Sequence, residues 1–184
     1  MRLVVTEFVS LDGVAEAPMW TFPYWTDDTA AFKGDETRSS TALLLGRKTY
    51  EEFAKAWPGR TAEEGGDFFN PVKKYVVSST LSKDVWQNAS FVRPDGTGGL
   101  RKEIEALKAK PGGDLTVHGS ITLARWLLGE GLVDELRLLV YPLTVGKGKR
   151  LFGDGMAERK VELVSAKPLR KGVVALVYEP EGPA

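Results

Sequence analysis

From residue 135 onward the chain reads as three strand-like runs with no helical segment between them: "ELRLLVYPLTVG", "KVELVSAKPL" and "GVVALVYEP". Short turns between such runs imply antiparallel pairing. The first two-thirds of the chain behave differently. Apolar strand runs there alternate with segments whose apolar residues return every three or four positions. Strands are expected over 3–9, 42–45, 74–78, 91–92 and 115–117, and helices over about 26–38, 48–57, 100–107 and 121–128. Strand–helix alternation builds parallel sheet, and parallel sheet needs cover on both faces. The two halves together call for an α/β fold: a mixed central sheet between helices, with antiparallel C-terminal strands at one edge. The chain reads as a single domain over 1–179, with 180–184 as a loose tail.

Three connections stand out. "APMWTFPYW" is an aromatic loop, "GRTAEEGGDFFNP" a long irregular connection suited to a lid or flap, and "RPDGTGG" a turn. Lys plus Arg equals Asp plus Glu at 25 each, so no global field draws nucleic acid or an anionic membrane surface. Cysteine is absent, which removes disulfides, thiolate catalysis and cysteine zinc sites. His118 is the single histidine, so a histidine metal cluster is excluded. It ends an apolar strand, either as a satisfied strand-end residue or as part of a pocket wall. The first apolar run is too short for a signal peptide, and no stretch approaches the ~20 apolar residues of a membrane span. These readings predict a soluble, cytoplasmic protein whose partner is a small molecule, not nucleic acid or membrane.

In open α/β sheets ligands bind beyond the carboxyl ends of parallel strands. Three such ends carry small or polar residues: Gly46-Arg47-Lys48-Thr49, Ser78-Ser79-Thr80 and Gly119-Ser120-Ile121-Thr122. Glycine allows close backbone approach, a helix N-terminus offers free N–H groups, and arginine supplies a planar fork for phosphate. Together they form a cradle for an anionic, phosphorylated ligand. Ser78 and Ser79 have a plainer reading as a turn capped by its own side chains. Arg47 and Lys48 have one as solvated charges. Asp12, Asp27 and Asp28 flank the aromatic loop, where a carboxylate beside Trp20, Phe22, Tyr24 and Trp25 could hydrogen-bond a flat heterocycle. Equally, Asp12 could make a turn and Asp27 and Asp28 cap a helix.

"LLLGRKTYEEF" resembles the strand–GR-x-T–helix motif of dihydrofolate reductase. "SLDG", "VVSSTL", "VHGSITLARWLL" and "LVDELRLLVYPLTVGKGKRLF" are similar to relatives built on the reductase domain of the bifunctional riboflavin-biosynthesis deaminase-reductase, in order from about residue 2 to residue 178. The resemblance implies a three-layer α/β/α sandwich that binds NADPH across the strand ends. It implies that Gly46, Arg47, Lys48 and Thr49 meet the adenosine phosphates and that Ser78 and Ser79 lie near the 2′-phosphate. Gly119, Ser120, Ile121 and Leu123 would hold the pyrophosphate and the nicotinamide side. Asp12 and Gly13 would border nicotinamide and substrate. Trp20, Phe22 and Trp25 would wall the substrate, and Asp27 or Asp28 would be placed to supply a proton. The deaminase half is missing, since neither H-x-E nor C-x-x-C occurs. The expected activity is NADPH-dependent reduction of a flat pterin- or pyrimidine-like heterocycle, in riboflavin- or folate-type metabolism. The alternative is a non-catalytic nucleotide- or heterocycle-binding protein on the same fold. A homodimer is expected by resemblance.

Overall fold

A computed structural model describes residues 1–81, 83–94 and 99–181. The run "RLVVTEFVS" forms the strand β1 (Arg2–Ser10), buried on both faces along most of its length. After a 3-10 turn (Pro18–Tyr24) come the helix α1 (Asp27–Ser39), β2 (Ser40–Gly46) and α2 (Arg47–Ala56). A short helix α3 (Gly66–Phe69) precedes β3 (Lys73–Val77) and β4 (Ala89–Val92). The chain continues through α4 (Gly99–Lys108), β5 (Asp114–His118) and α5 (Ile121–Gly129). It closes with β6 (Glu135–Tyr141), β7 (Val161–Pro168) and β8 (Val174–Pro180).

The eight strands form one sheet in the order β4-β3-β2-β5-β1-β6-β8-β7. From β4 to β6 in this order neighbouring strands run parallel, and β8 is antiparallel to both of its neighbours, β6 and β7. The three C-terminal runs pair antiparallel as expected, with β8 rather than β7 in the middle, and β6 also joins them to the parallel part of the sheet. Strand β6 is antiparallel to β8 but parallel to β1, because the chain returns through α5 and crosses over the sheet before β6 begins.

Strand alternation divides the core. Leu43 and Leu45 of β2 pack into one cluster with Tyr50 of α2, Phe69 of α3 and Trp86. Ala42 and Leu44 face the other side, into a cluster with Ile104 of α4 and Leu123, Ala124 and Leu127 of α5. Helices thus cover both faces. A third cluster, around Leu139, Tyr141 and Val173, takes in Trp20, Tyr24 and Phe32.

The expected loops also differ in detail. The aromatic segment is anchored by its 3-10 turn, with the Trp20 ring edge-on to Tyr141 at 5.5 Å. The 59–71 connection contains α3, whose Phe69 stacks on Trp57 at 3.8 Å. Pro180 ends β8, and the Glu181 N–H donates to the Lys160 carbonyl at 3.0 Å, so the tail is not loose at its start. Part of the expected 93–99 turn, and residues 182–184, lie outside the described residues. Among the described residues no helix is long and apolar enough to cross a membrane.

Candidate active site at the ends of the parallel strands

β5 sits between β2 and β1 and stops at His118, whose register partner on β1 is Thr6. β1 runs on to Ser10. The space above the end of β5 opens into a cavity of about 1320 Å³. It lies where the chain, having moved outward through β2, β3 and β4, returns to insert β5. Such a reversal of strand order is where open α/β sheets bind ligands.

Two helix N-termini meet over this gap. The Gly46 N–H donates to Ser120 Oγ at 2.8 Å, and Ser120 Oγ donates to Thr49 Oγ1 at 2.8 Å. Gly119 and Ser120 both take left-handed backbone, at φ 61° and 64°. Neither Gly46 nor Ser120 caps its helix with a side-chain bond, so first-turn N–H groups of α2 and α5 remain available. A Cβ on Gly46 would stand 3.2 Å from Ser120 Oγ, so any larger residue would press the Ser120 side chain out of this contact. This donor set fits the phosphates of a dinucleotide. Gly46, Arg47, Lys48, Thr49, Gly119, Ser120, Ile121 and Leu123 all line the cavity. Arg47 is half-exposed and ion-paired with Glu51 at 3.0 Å, one turn along α2. An exposed pair of that kind contributes little and can open for a ligand.

Ser78 and Ser79 do not reach this cavity. The Ser78 hydroxyl accepts the N–H groups of Thr80 (3.2 Å) and Leu81 (3.0 Å), so it caps its own turn. Phe22 and Trp25 line the cavity, whereas Trp20 turns inward onto Tyr141. Gly13 lies in the turn, bonded through its backbone to Ser10 and Leu151.

The three aspartates are likewise outside the lining. Asp12 accepts from the Ser10 hydroxyl at 2.6 Å and from the N–H groups of Val145 (3.0 Å) and Gly146 (2.8 Å), which together hold its carboxyl down at about 2. Asp28 accepts from the Thr26 hydroxyl, the Thr29 N–H and the Arg170 N–H, and is also held at about 2, chiefly by Thr26. Asp27 points into water with its side chain 98% exposed, beside Arg170. These carboxylates pin loops together, and the plainer reading of them describes the geometry.

Away from the two helix N-termini, β1, α1 and the end of β5 add Thr6, Glu7, Lys33 and His118 to the polar lining of the cavity. The Thr6 hydroxyl donates to Glu36 Oε1 at 2.8 Å and accepts from Lys33 Nζ at 3.0 Å. Lys33 also pairs with the buried Glu36 carboxylate and stands over the Phe8 ring at 5.2 Å. His118 lies edge-on to Phe69 at 5.5 Å, and its Nε2 is buried without a partner. Burial, reinforced by Lys33 and Arg137, drives its pKa well below the usual histidine value, so the ring is neutral. Glu7 Oε1 is also buried without a partner. Glu7 had one sequence signal, a lone carboxylate inside the apolar run "LVVTEFVS". Thr6, Lys33 and Glu36 had none, because helix α1 brings them together across the strand.

The chain belongs to the RibD C-terminal domain family, whose model matches residues 2–175. It is similar to the uncharacterised protein YyaP of Bacillus subtilis (strain 168), at 28% identity over 185 residues, covering 98% of this chain and 96% of that one. A pyrimidine reductase-like protein from Corynebacterium diphtheriae superposes with a TM-score of 0.73 at 15% identity, over 99% of this chain and 92% of the other. Dihydrofolate reductase from Enterococcus faecalis, complexed with NADP(H) and RAB-propyl, superposes with a TM-score of 0.63 at 17% identity, over 98% and 96% of the two chains. At such identities the likeness is one of fold: a reductase-type α/β fold with a mixed sheet.

Proposed function

We propose that the protein is an NADPH-dependent reductase acting on a flat pterin- or pyrimidine-like heterocycle. The observation that carries this reading is the cavity. It joins two uncapped helix N-termini to a mostly apolar chamber, and at about 1320 Å³ it exceeds the ~300–1000 Å³ of an ordinary small-ligand pocket. That room suits a dinucleotide and a substrate side by side. The N–H groups at the starts of α2 and α5, with Thr49 and Ser120, hold phosphate. Arg47 and Lys48 add positive charge at the α2 end. Ile121 and Leu123 pack the nicotinamide side, and Phe8, Phe22 and Trp25 wall the substrate. The bound cofactor would supply hydride. The chain's own part is to orient the two rings, exclude water and place a proton donor. The relative crystallised with NADP(H) supports the cofactor assignment by likeness of fold alone.

The position of Asp12, Asp27 and Asp28 outside the cavity favours a second reading, binding without turnover, unless another residue supplies the proton. Titration of the protein with NADPH, NADP+ and NADH, followed by tryptophan fluorescence, tests the assignment. NADPH and NADP+ should bind at least ~10-fold more tightly than NADH, and Arg47→Ala should erase most of that preference. Equal affinities for all three would remove the 2′-phosphate from the account.

A further inference from the structure

Glu7 is the one acidic side chain of the cavity that is both buried and free of protein partners among the described residues. It is 5% exposed. It occupies the same face of β1 as Val5 and Val9, which belong to the core cluster containing Ala15 and Leu123. Ala15 and Leu123 also line the cavity, so the carboxyl emerges from an apolar wall. No hydrogen bond from any described residue reaches it, and Oε1 is an orphan. The fold gains nothing from a carboxyl so placed, since burying one without a partner is costly. Of the charged groups in the cavity lining, Lys33 is the one that acts on it; Arg47, Lys48 and Glu52 line the α2 side, and Arg60, Glu63, Glu64 and Asp67 the following connection and α3. Lys33 comes from α1, Glu16 and Lys149 stand at the mouth, and His118 on β5 is neutral. Desolvation outweighs the attraction of Lys33 and pushes the Glu7 carboxyl up to about 8, so it carries its proton at neutral pH.

We propose that Glu7 is the proton donor of this cavity, handing its carboxyl proton to the ring nitrogen or carbonyl oxygen of the bound heterocycle while the adjoining carbon accepts hydride. The proposal rests on the reductase reading. The C=N or C=O π bond breaks; a C–H bond forms with the hydride, whose two electrons are drawn from a reduced nicotinamide; and an N–H or O–H bond forms with the proton from Glu7. Glu7 is left as a carboxylate and regains its proton from water at the mouth. The arrangement selects a substrate edge that presents an unprotonated acceptor to β1. A ligand edge offering only donors would leave the acid's O–H without an acceptor.

The test begins without cofactor. In full-length protein labelled with glutamate ¹³Cδ, one carboxyl resonance should titrate near pH 8 and be missing from both Glu7→Gln and Glu7→Leu. If every glutamate titrates in the ordinary range, the proposal fails. NADP+ should bind wild type and Glu7→Gln within about twofold of each other. Wild type that binds no nicotinamide nucleotide overturns the reductase reading, and the carboxyl titration still judges Glu7. In single turnovers of NADPH with a panel of unsaturated pterins and pyrimidines, Glu7→Gln should slow the reaction at least ~100-fold and abolish the fall in rate above pH 8. An unchanged rate and profile in Glu7→Gln overturns the donor role, as does nucleotide binding with no turnover of any panel member.

Discussion

Glu7→Leu should melt at a higher temperature than wild type, and the gap should widen as the pH rises from 5 to 9. The carboxyl titrates at 4.5 in its ordinary state and at about 8 in the fold. Between those values the unfolded chain has released the proton and the folded chain retains it. The folded state therefore binds more protons, and stability falls as pH rises through this window. Above 8 both states are ionised and no further loss occurs. The shift corresponds to roughly 5 kcal/mol between pH 4.5 and 8. For a chain of this length that is about 10–15 °C in melting temperature. Leucine removes the penalty and fills an apolar wall already made by Ala15 and Leu123. Other groups, such as the neutral His118 and the buried Lys74, whose pKa burial lowers to about 8, titrate in both proteins and cancel in the difference. Thermal melts of the two proteins at pH 5, 7 and 9 measure it. A gap that stays constant with pH would mean that Glu7 is ionised in the fold. A group retained at such a cost to stability is more readily explained by chemistry than by architecture.

Glu36→Ala should produce the opposite result, a loss of about 3–5 kcal/mol at neutral pH. Glu36 is 1% exposed, Lys33 is largely buried, and the Thr6 hydroxyl bonds to both. Removing the carboxylate strands the Lys33 ammonium against Phe8 and the cavity floor and leaves the Thr6 hydroxyl without its acceptor. The Lys33→Met/Glu36→Leu double variant should recover most of the loss, because no charge is then left without a partner. Chemical denaturation of the three proteins reads both effects. A loss under about 1 kcal/mol for Glu36→Ala would show that water reaches Lys33 freely.

The sequence carried the architecture through two periodicities, and the antiparallel edge follows from them; the cradle was read separately, from small and polar residues at three strand ends, of which those at Gly46 and Gly119 line the cavity. The sequence did not carry strand order. Ser78-Ser79 has the same small-polar signature as Gly119-Ser120. Yet β3 lies beyond β2, two places from β5, and its turn folds back on itself. Nothing local in "VVSSTL" distinguishes the two cases. The aspartates were misleading for a related reason. Asp12 is held by Val145 and Gly146, and Asp28 by Arg170, partners more than 130 residues away. Their polar environment exists only once the sheet has formed. Glu7 was legible in principle, since a carboxylate in a strand buried on both faces must be partnered, neutral or functional. The Lys33–Glu36–Thr6 cluster needed α1 to be docked on β1.

The central claim is that the cavity over the end of β5 holds the cofactor phosphates between α2 and α5. Backbone amide NMR of ¹⁵N-labelled protein during addition of NADP+ tests it most directly. The amides of Gly46, Thr49, Gly119 and Ser120 should move together with one saturation curve, while those of Ser78 and Ser79 stay in place. Saturable shifts centred on Ser78 and Ser79, or no shifts at the four cradle amides, would contradict it.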